Sequence, residues 1–180
     1  ERIARIPTAA SGHALCYVPQ ENKLYCASGG QSYMDDSVVT VIDCSADTVV
    51  ATLLVGVNPY ALCYNPQNNK VYCADYWFNT TIIIDGANNS VIGTVRVGTS
   101  PHLFEYSPTS NMVYCANYDG GTVSAIDGAA NSVVATLRTG DGPSALCYNP
   151  VMDRVYSANA WSQTVTAMDC AAGAVLANID

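Results

Sequence analysis

Charge is scarce in this chain. Only 12% of the 180 residues are Asp, Glu, Lys or Arg, against a usual quarter or so. Basic residues are rarest: 7 Lys and Arg stand against 15 Asp and Glu, a net charge of −8. A polyanion would be repelled, so no nucleic-acid partner is expected. An anionic membrane surface is equally unfavourable. Long apolar runs are missing too. None approaches the ~20 residues of a membrane-spanning helix, and no membrane insertion is expected. Helical periodicity is absent over any useful length. There is no GxSxG elbow, HExxH pair, phosphate-binding glycine loop or CxxC pair, so no motif-encoded chemistry is indicated. No cofactor is expected. The sequence starts at Glu1 without an initiator Met or a signal peptide, which predicts processing or trimming of a longer protein.

What is present is repetition. Residues 61–75, ALCYNPQNNKVYCAD, recur in varied form at 14–28 (ALCYVPQENKLYCAS), 103–117 (LFEYSPTSNMVYCAN) and 145–159 (ALCYNPVMDRVYSAN). Ala61, Leu103 and Ala145 are spaced by 42 residues, and Ala14 precedes Ala61 by 47 because the first copy has a longer loop. Self-similarity at such a period marks a repeat architecture. Within a copy the pattern reads as four short strands. In the second they are Tyr60 to Tyr64, Lys70 to Ala74, Thr80 to Asp85 and Ser90 to Val97, with turns at 65–69 and 86–89 built from turn-forming residues. The third copy predicts Thr122 to Asp127 and Ser132 to Arg138, and the fourth Thr164 to Asp169 and Ala174 to Ile179. Four-stranded units at this period predict an all-β fold, a β-propeller of four blades at about 8–56, 57–98, 99–140 and 141–180 within one domain of residues 1–180.

Eight cysteines raise the question of a disulfide framework. The first two copies carry both Cys16 and Cys26, and Cys63 and Cys73; the third keeps Cys115 beside Glu105, and the fourth keeps Cys147 beside Ser157. Partners within a blade would be lost together, and here they are lost separately. Buried free thiols serving as small hydrophobes are therefore expected. Cys44 and Cys170 occupy a third position, and a bridge between them stays open.

Tyr72-Cys73-Ala74-Asp75, Tyr114-Cys115-Ala116-Asn117 and Tyr156-Ser157-Ala158-Asn159 resemble the signature of the YVTN-family β-propeller repeats. The Asn-Pro-x-x-Asn-Lys turn and the Val-Val-Ala-Thr fourth strand are similar as well. Cys for Val within the signature departs from the pattern but exchanges one apolar residue for another. The resemblance covers essentially the whole chain. It implies a propeller of the kind found in surface-layer and other exported proteins of archaea and bacteria, hence an extracellular or cell-envelope location. It implies no single activity.

Rings of six to eight blades have wedges of roughly 45–60°, so four blades cover about half a circle. Two chains forming an eight-bladed ring are expected, with a closed four-bladed monomer as the alternative. Arg2-Ile3-Ala4-Arg5-Ile6 aligns with Val49 to Leu53 as a fourth strand. Residues 1–7 are thus predicted as an extra outer strand. It either displaces Val175 to Ile179, lies elsewhere, or belongs to a larger propeller.

By propeller topology, the loops before each first strand and those after each second strand share one face. The first set contributes His13, Tyr60, His102 and Ser144. The second contributes residues 28–37, then Tyr76, Trp77 and Phe78, Tyr118 to Gly121, and Trp161 with its neighbours. Aromatic loops at one entrance suit a glycan or a protein segment. Alternatively Trp77 and Trp161 pack the blade edges. His13 and His102 sit at equivalent positions, as metal ligands or as unrelated polar residues. Glu105 replaces a cysteine and faces channel water, pairs with a cation, or acts as a general base. Asp43, Asp85, Asp127 and Asp169 recur once per blade, which predicts carboxylates that accept backbone N–H bonds in the following turn. Asp35-Asp36 is a weak calcium candidate that lacks the full ligand spacing. The best-supported reading is a non-enzymatic scaffold or binding module. The alternative is a hydrolase or metal-dependent lactonase using His13, His102 and Glu105.

Overall fold

A computed structural model describes residues 5–8, 11–29 and 37–180. Among the described residues, sixteen strands form four antiparallel sheets of four, each in sequence order. The first blade holds β1 (Gly12–Val18), β2 (Lys23–Ser28), β3 (Val38–Asp43) and β4 (Thr48–Leu54). The second holds β5 (Pro59–Asn65), β6 (Lys70–Asp75), β7 (Thr80–Asp85) and β8 (Val91–Arg96). The third holds β9 (Pro101–Ser107), β10 (Met112–Asn117), β11 (Thr122–Asp127) and β12 (Ser132–Arg138). The fourth holds β13 (Pro143–Asn149), β14 (Arg154–Asn159), β15 (Thr164–Asp169) and β16 (Ala174–Ile179). The strands predicted for the last two copies are met at both ends. The strand predicted at 90–97 is shorter by one residue at each end. No helix among the described residues is long and apolar enough to cross a membrane.

The turns explain why the strands stop where they do. Asn22, Asn69, Asn111 and Asp153 take a left-handed φ of 47–53° just before the second strand of each blade, a conformation that Asn and Asp tolerate best among side-chain-bearing residues. The per-blade aspartates behave as their recurrence predicts. Asp85 Oδ1 accepts the backbone N–H groups of Ala87 and Asn88 at 2.8 and 3.1 Å, and Asp127 Oδ1 those of Ala129 and Ala130 at 2.7 and 2.9 Å. Asp43 and Asp169 do the same for Ser45 and Ala172.

Packing lies between the blades, so the described residues form three cores rather than one. Val39, Val41, Tyr25 and Ala27 of the first blade meet Val71, Cys73, Ile82 and Ile84 of the second. Tyr72 and Ile83 of the second meet Val113, Cys115 and Ile126 of the third. Tyr114, Val123 and Ala125 of the third meet Val155 and Met168 of the fourth. Both faces of an inner blade are thereby buried, which is why its strands are apolar on both sides. All eight cysteines are free thiols, Cys44 and Cys170 included. Burial pushes the Cys16 thiol up to about 11 and the Cys115 thiol up to about 12, as expected for inert structural cysteines.

The inner strands β1, β5, β9 and β13 pack side by side in that order, and no comparable contact joins β13 to β1. The two ends of the row are accordingly less covered. Leu15 and Tyr17 of β1 are 66% and 52% exposed, while their counterparts Leu62 and Tyr64 pack into the first core. Ala145, Cys147 and Ala158 of the fourth blade are also exposed. The predicted extra strand is not found in Arg5 to Thr8, which carry no strand; its first four residues lie outside the described residues. The outer place it would take in the fourth blade is occupied by β16, paired with β15. Asp35-Asp36 and the middle of the long first-blade loop also lie outside the described residues.

Candidate functional site

Each inner strand begins with a bulge. Its register slips between Gly12 and Ala14 in β1, between Pro59 and Leu62 in β5, between Pro101 and Leu103 in β9, and between Pro143 and Ala145 in β13. His13, Tyr60, His102 and Ser144 lie within these slips, with Ala61 beside Tyr60 in the second. A bulge re-aims the side chain it carries, and here it turns the same position of every blade towards the loop face.

Three of the four meet one another and the loop aromatics. His13 and Tyr60 have ring centroids 5.8 Å apart, Tyr60 and His102 4.7 Å, His102 and Tyr118 5.3 Å, and Tyr118 and Trp161 4.8 Å. A branch runs from Tyr60 to Tyr76 at 5.7 Å and on to Trp77 at 5.2 Å, edge to face. Among the described residues, seven rings from four blades thus form one connected rim. Each such contact contributes about 0.5–1.5 kcal/mol beyond area burial. Ser144 does not join it; its hydroxyl donates to the Ala158 carbonyl at 3.4 Å.

The rim is partly presented to solvent. Trp161 is 57% exposed, Trp77 43% and Tyr60 39%. Trp161 both packs and presents a surface: its ring lies over Gly142, where a Cβ would meet the indole at about 3.0 Å and the φ of +68° would strain any other residue. His102 lies between the Tyr60 and Tyr118 rings. Burial lowers its pKa, and its Nδ1 has no hydrogen-bond partner. It is therefore a neutral imidazole at pH 7, in contact with a tyrosine ring on either side.

Buried polar residues brace the loops beneath. Asp75, Asn117 and Asn159, the last residues of the repeated Tyr-x-Ala-x segment, are all buried. Asp75 Oδ1 accepts the N–H groups of Val57 and Phe78 at 3.2 and 3.3 Å. Burial nevertheless raises its pKa. Asn117 and Asn159 each donate to a threonine hydroxyl at the start of the third strand, Thr122 and Thr164, at 3.0 Å. Asp119 accepts from the Tyr76 hydroxyl at 3.3 Å and from Ser100. It thereby ties the second-blade loop to the third. These bracing roles escaped sequence reasoning, although recurrence at the final signature position marked three of the residues.

Tyr60 stands between His13 and His102. Glu105 accepts the backbone N–H of Tyr148 on the fourth blade, and burial raises its pKa. Among the described residues no group of three or more His, Cys, Asp or Glu side chains is placed to hold a metal ion. His13 instead helps line a groove of about 520 Å³ with Thr8, Gly12, Ala14, Leu15 and Cys26.

No family profile matches the chain, and no curated protein sequence matches it. Solved structures do. A chain of hydrazine synthase from Kuenenia stuttgartiensis superposes with a TM-score of 0.81 at 20% identity, over 98% of this chain and 51% of that one. A protein of unknown function from Desulfotomaculum acetoxidans superposes with a TM-score of 0.76 at 13% identity, over 93% of this chain and 55% of that one. The architecture is propeller-like. At these identities the likeness concerns the fold alone, and the chain spans about half the length of both structures.

Proposed function

We propose that the chain is a non-enzymatic binding module whose ligand face is the aromatic rim from His13 to Trp161. The observation that carries this reading is the connected series of seven rings drawn from separate blades, with both tryptophans roughly half exposed. A row of ring faces with few charges suits a ligand that offers flat, weakly polar faces of its own. The sugar rings of a glycan have that chemistry. An exported YVTN-type propeller at the cell envelope, as the repeated Tyr-Cys-Ala segments suggest, would meet such ligands.

Half a ring is not a closed structure. In this reading two copies complete an eight-bladed ring, which also covers the exposed Leu15, Tyr17 and Cys147. It doubles the aromatic rim around a shared channel mouth.

The test is binding of neutral and acidic oligosaccharides, read by tryptophan fluorescence and calorimetry. Saturable binding that Trp161→Ala and Trp77→Ala each weaken at least about tenfold is expected, a loss of about 1.4 kcal/mol. Binding unchanged in both variants, or none to any glycan, would overturn the proposal.

A further inference from the structure

Basic residues are rare here, yet three of the seven occupy one repeat position. Lys23, Lys70 and Arg154 each open the second strand of their blade, and the third blade has Met112 there. The two lysines do the same thing. Lys23 Nζ crosses to the turn between β7 and β8, donating to the carbonyls of Gly86 and Ala87 at 3.1 and 2.9 Å and to Asn89 Oδ1 at 3.1 Å. Lys70 Nζ crosses to the turn between β11 and β12, donating to the carbonyls of Gly128 and Ala129 at 2.7 and 3.3 Å and to Asn131 Oδ1 at 2.8 Å. Each cation thus clamps the outer turn of the next blade.

The acceptor position varies with the cation. Asp47, Asn89, Asn131 and Gly173 close the outer turns of the four blades, all with φ between 52° and 60°. That backbone accepts Gly, Asn or Asp, so φ alone does not choose among them. Across the first and second junctions the residue facing the lysine is asparagine. Across the junction from Met112 it is Gly173, which offers no side-chain acceptor, and Met112 packs into the third core instead. One cation and one acceptor remain. Arg154 stands at the uncovered end of the fourth blade, with its Nε buried and without a hydrogen-bond partner. Asp47 stands exposed on the outer turn of the first blade. Arginine and a carboxylate are the strongest of these pairings, able to form two parallel charge-assisted bonds.

We infer that Arg154 of one copy clamps the turn of residues 44–47 in a second copy, with Asp47 as its carboxylate partner. This rests on the ring reading above and names how the second copy docks. Two such junctions close the ring, each repeating the contact that Lys23 and Lys70 make within the chain. The apolar part of the junction is supplied by Leu15 and Tyr17 on one side and Ala145 and Cys147 on the other. Their counterparts already meet across the first junction, where Leu62 and Tyr64 pack with Ala14 and Cys16.

The experiment measures native mass across a concentration series for the wild type, for Arg154→Glu, for Asp47→Lys, and for an equimolar mixture of the two variants. The expected result is a wild-type dimer, at least about a tenfold weaker dimer for each variant alone, and recovery in the mixture. In the mixed dimer one junction keeps the native pair and the other carries the reversed charges. Alkylation of Cys147 is expected to slow in the same samples that dimerise. Lysine at the positive φ of residue 47 is strained, so Arg154→Lys with Asp47→Asn serves as a second variant. It copies the inner junctions and is expected to dimerise. Variants that dimerise as the wild type does would overturn the clamp and leave the ring standing. So would loss of dimer that neither mixing nor the Lys–Asn pair restores. A wild type that stays monomeric at every concentration would overturn the ring itself. Glycan binding is read separately and does not depend on either result.

Discussion

The ring of Tyr60 lies 4.7 Å from that of His102 at a tilt of 31°, although 42 residues separate them. The two occupy the same position in neighbouring blades, each carried on a bulge. Their contact is therefore the repeat itself folded against its neighbour. It joins the rings of the first blade to those of the third and fourth. Without it the rim would be two separate patches.

His102 makes the protein sensitive to acid. Burial holds its folded pKa below the ordinary value of about 6.5. Between those two values the unfolded chain binds a proton that the folded chain does not. Stability is full above about pH 6.5 and falls as pH drops through that window. Replacing His102 with Phe keeps the stacking and removes the titration. Thermal unfolding at pH 5 and pH 7.5 is expected to differ less in His102→Phe than in the wild type; an equal difference would refute the assignment.

Glu105 acts in the opposite sense. Burial raises its folded pKa, so as pH rises past the ordinary carboxylate value of about 4.3 the unfolded chain ionises first. Its contribution is therefore favourable at low pH and is lost as pH climbs through the folded pKa. Glu105→Gln is expected to raise the melting temperature at pH 7 and to make no gain at pH 3. The effect is modest because the side chain is only half-buried. A fall in melting temperature at pH 7 would show that the carboxylate is needed in its charged form.

Lys70 holds the second and third blades together through three hydrogen bonds. Lys70→Met is expected to cost about 1–3 kcal/mol in urea unfolding, since it strands acceptors at a blade junction. Adding Asn131→Gly copies the natural Met112–Gly173 junction and is expected to recover part of that loss. If the double variant is as weak as the sum of its single changes, the two positions are not coupled.

Gly142 supports Trp161 from below. A methyl group there would meet the indole at about 3.0 Å, on a backbone with φ of +68°. Gly142→Ala is expected to cost about 1 kcal/mol or more from the backbone conformation alone. It should also shift the emission of Trp161 and weaken glycan binding. Unchanged emission would mean that the ring does not rest on this glycine.

Much of the architecture was legible without coordinates, because it is local and repeated. Strand ends follow turn residues a few positions away. Asp85 and Asp127 announce their hydrogen bonds by recurring once per blade, and the cysteines read as free thiols from the way copies lose them singly. The site was legible in part. The shared loop face of His13, Tyr60, His102, Ser144, Tyr76, Trp77, Tyr118 and Trp161 follows from repeat position, and the rings among them do meet. That Ser144 turns away to a backbone carbonyl does not follow, and neither does the bracing by Asp119 and Ser100.

The sequence by itself determined the repeat, the strands and turns within each blade, and the set of aromatic residues on one face. All of these depend on alternation and turn chemistry over fewer than about ten residues. Only the tertiary structure decided which rings touch, which cation reaches which turn, and which blade faces stay uncovered. Those relations join residues forty or more apart and depend on the wedge angle between sheets. One copy of a repeat does not carry that angle; it arises where the side chains of two blades interlock.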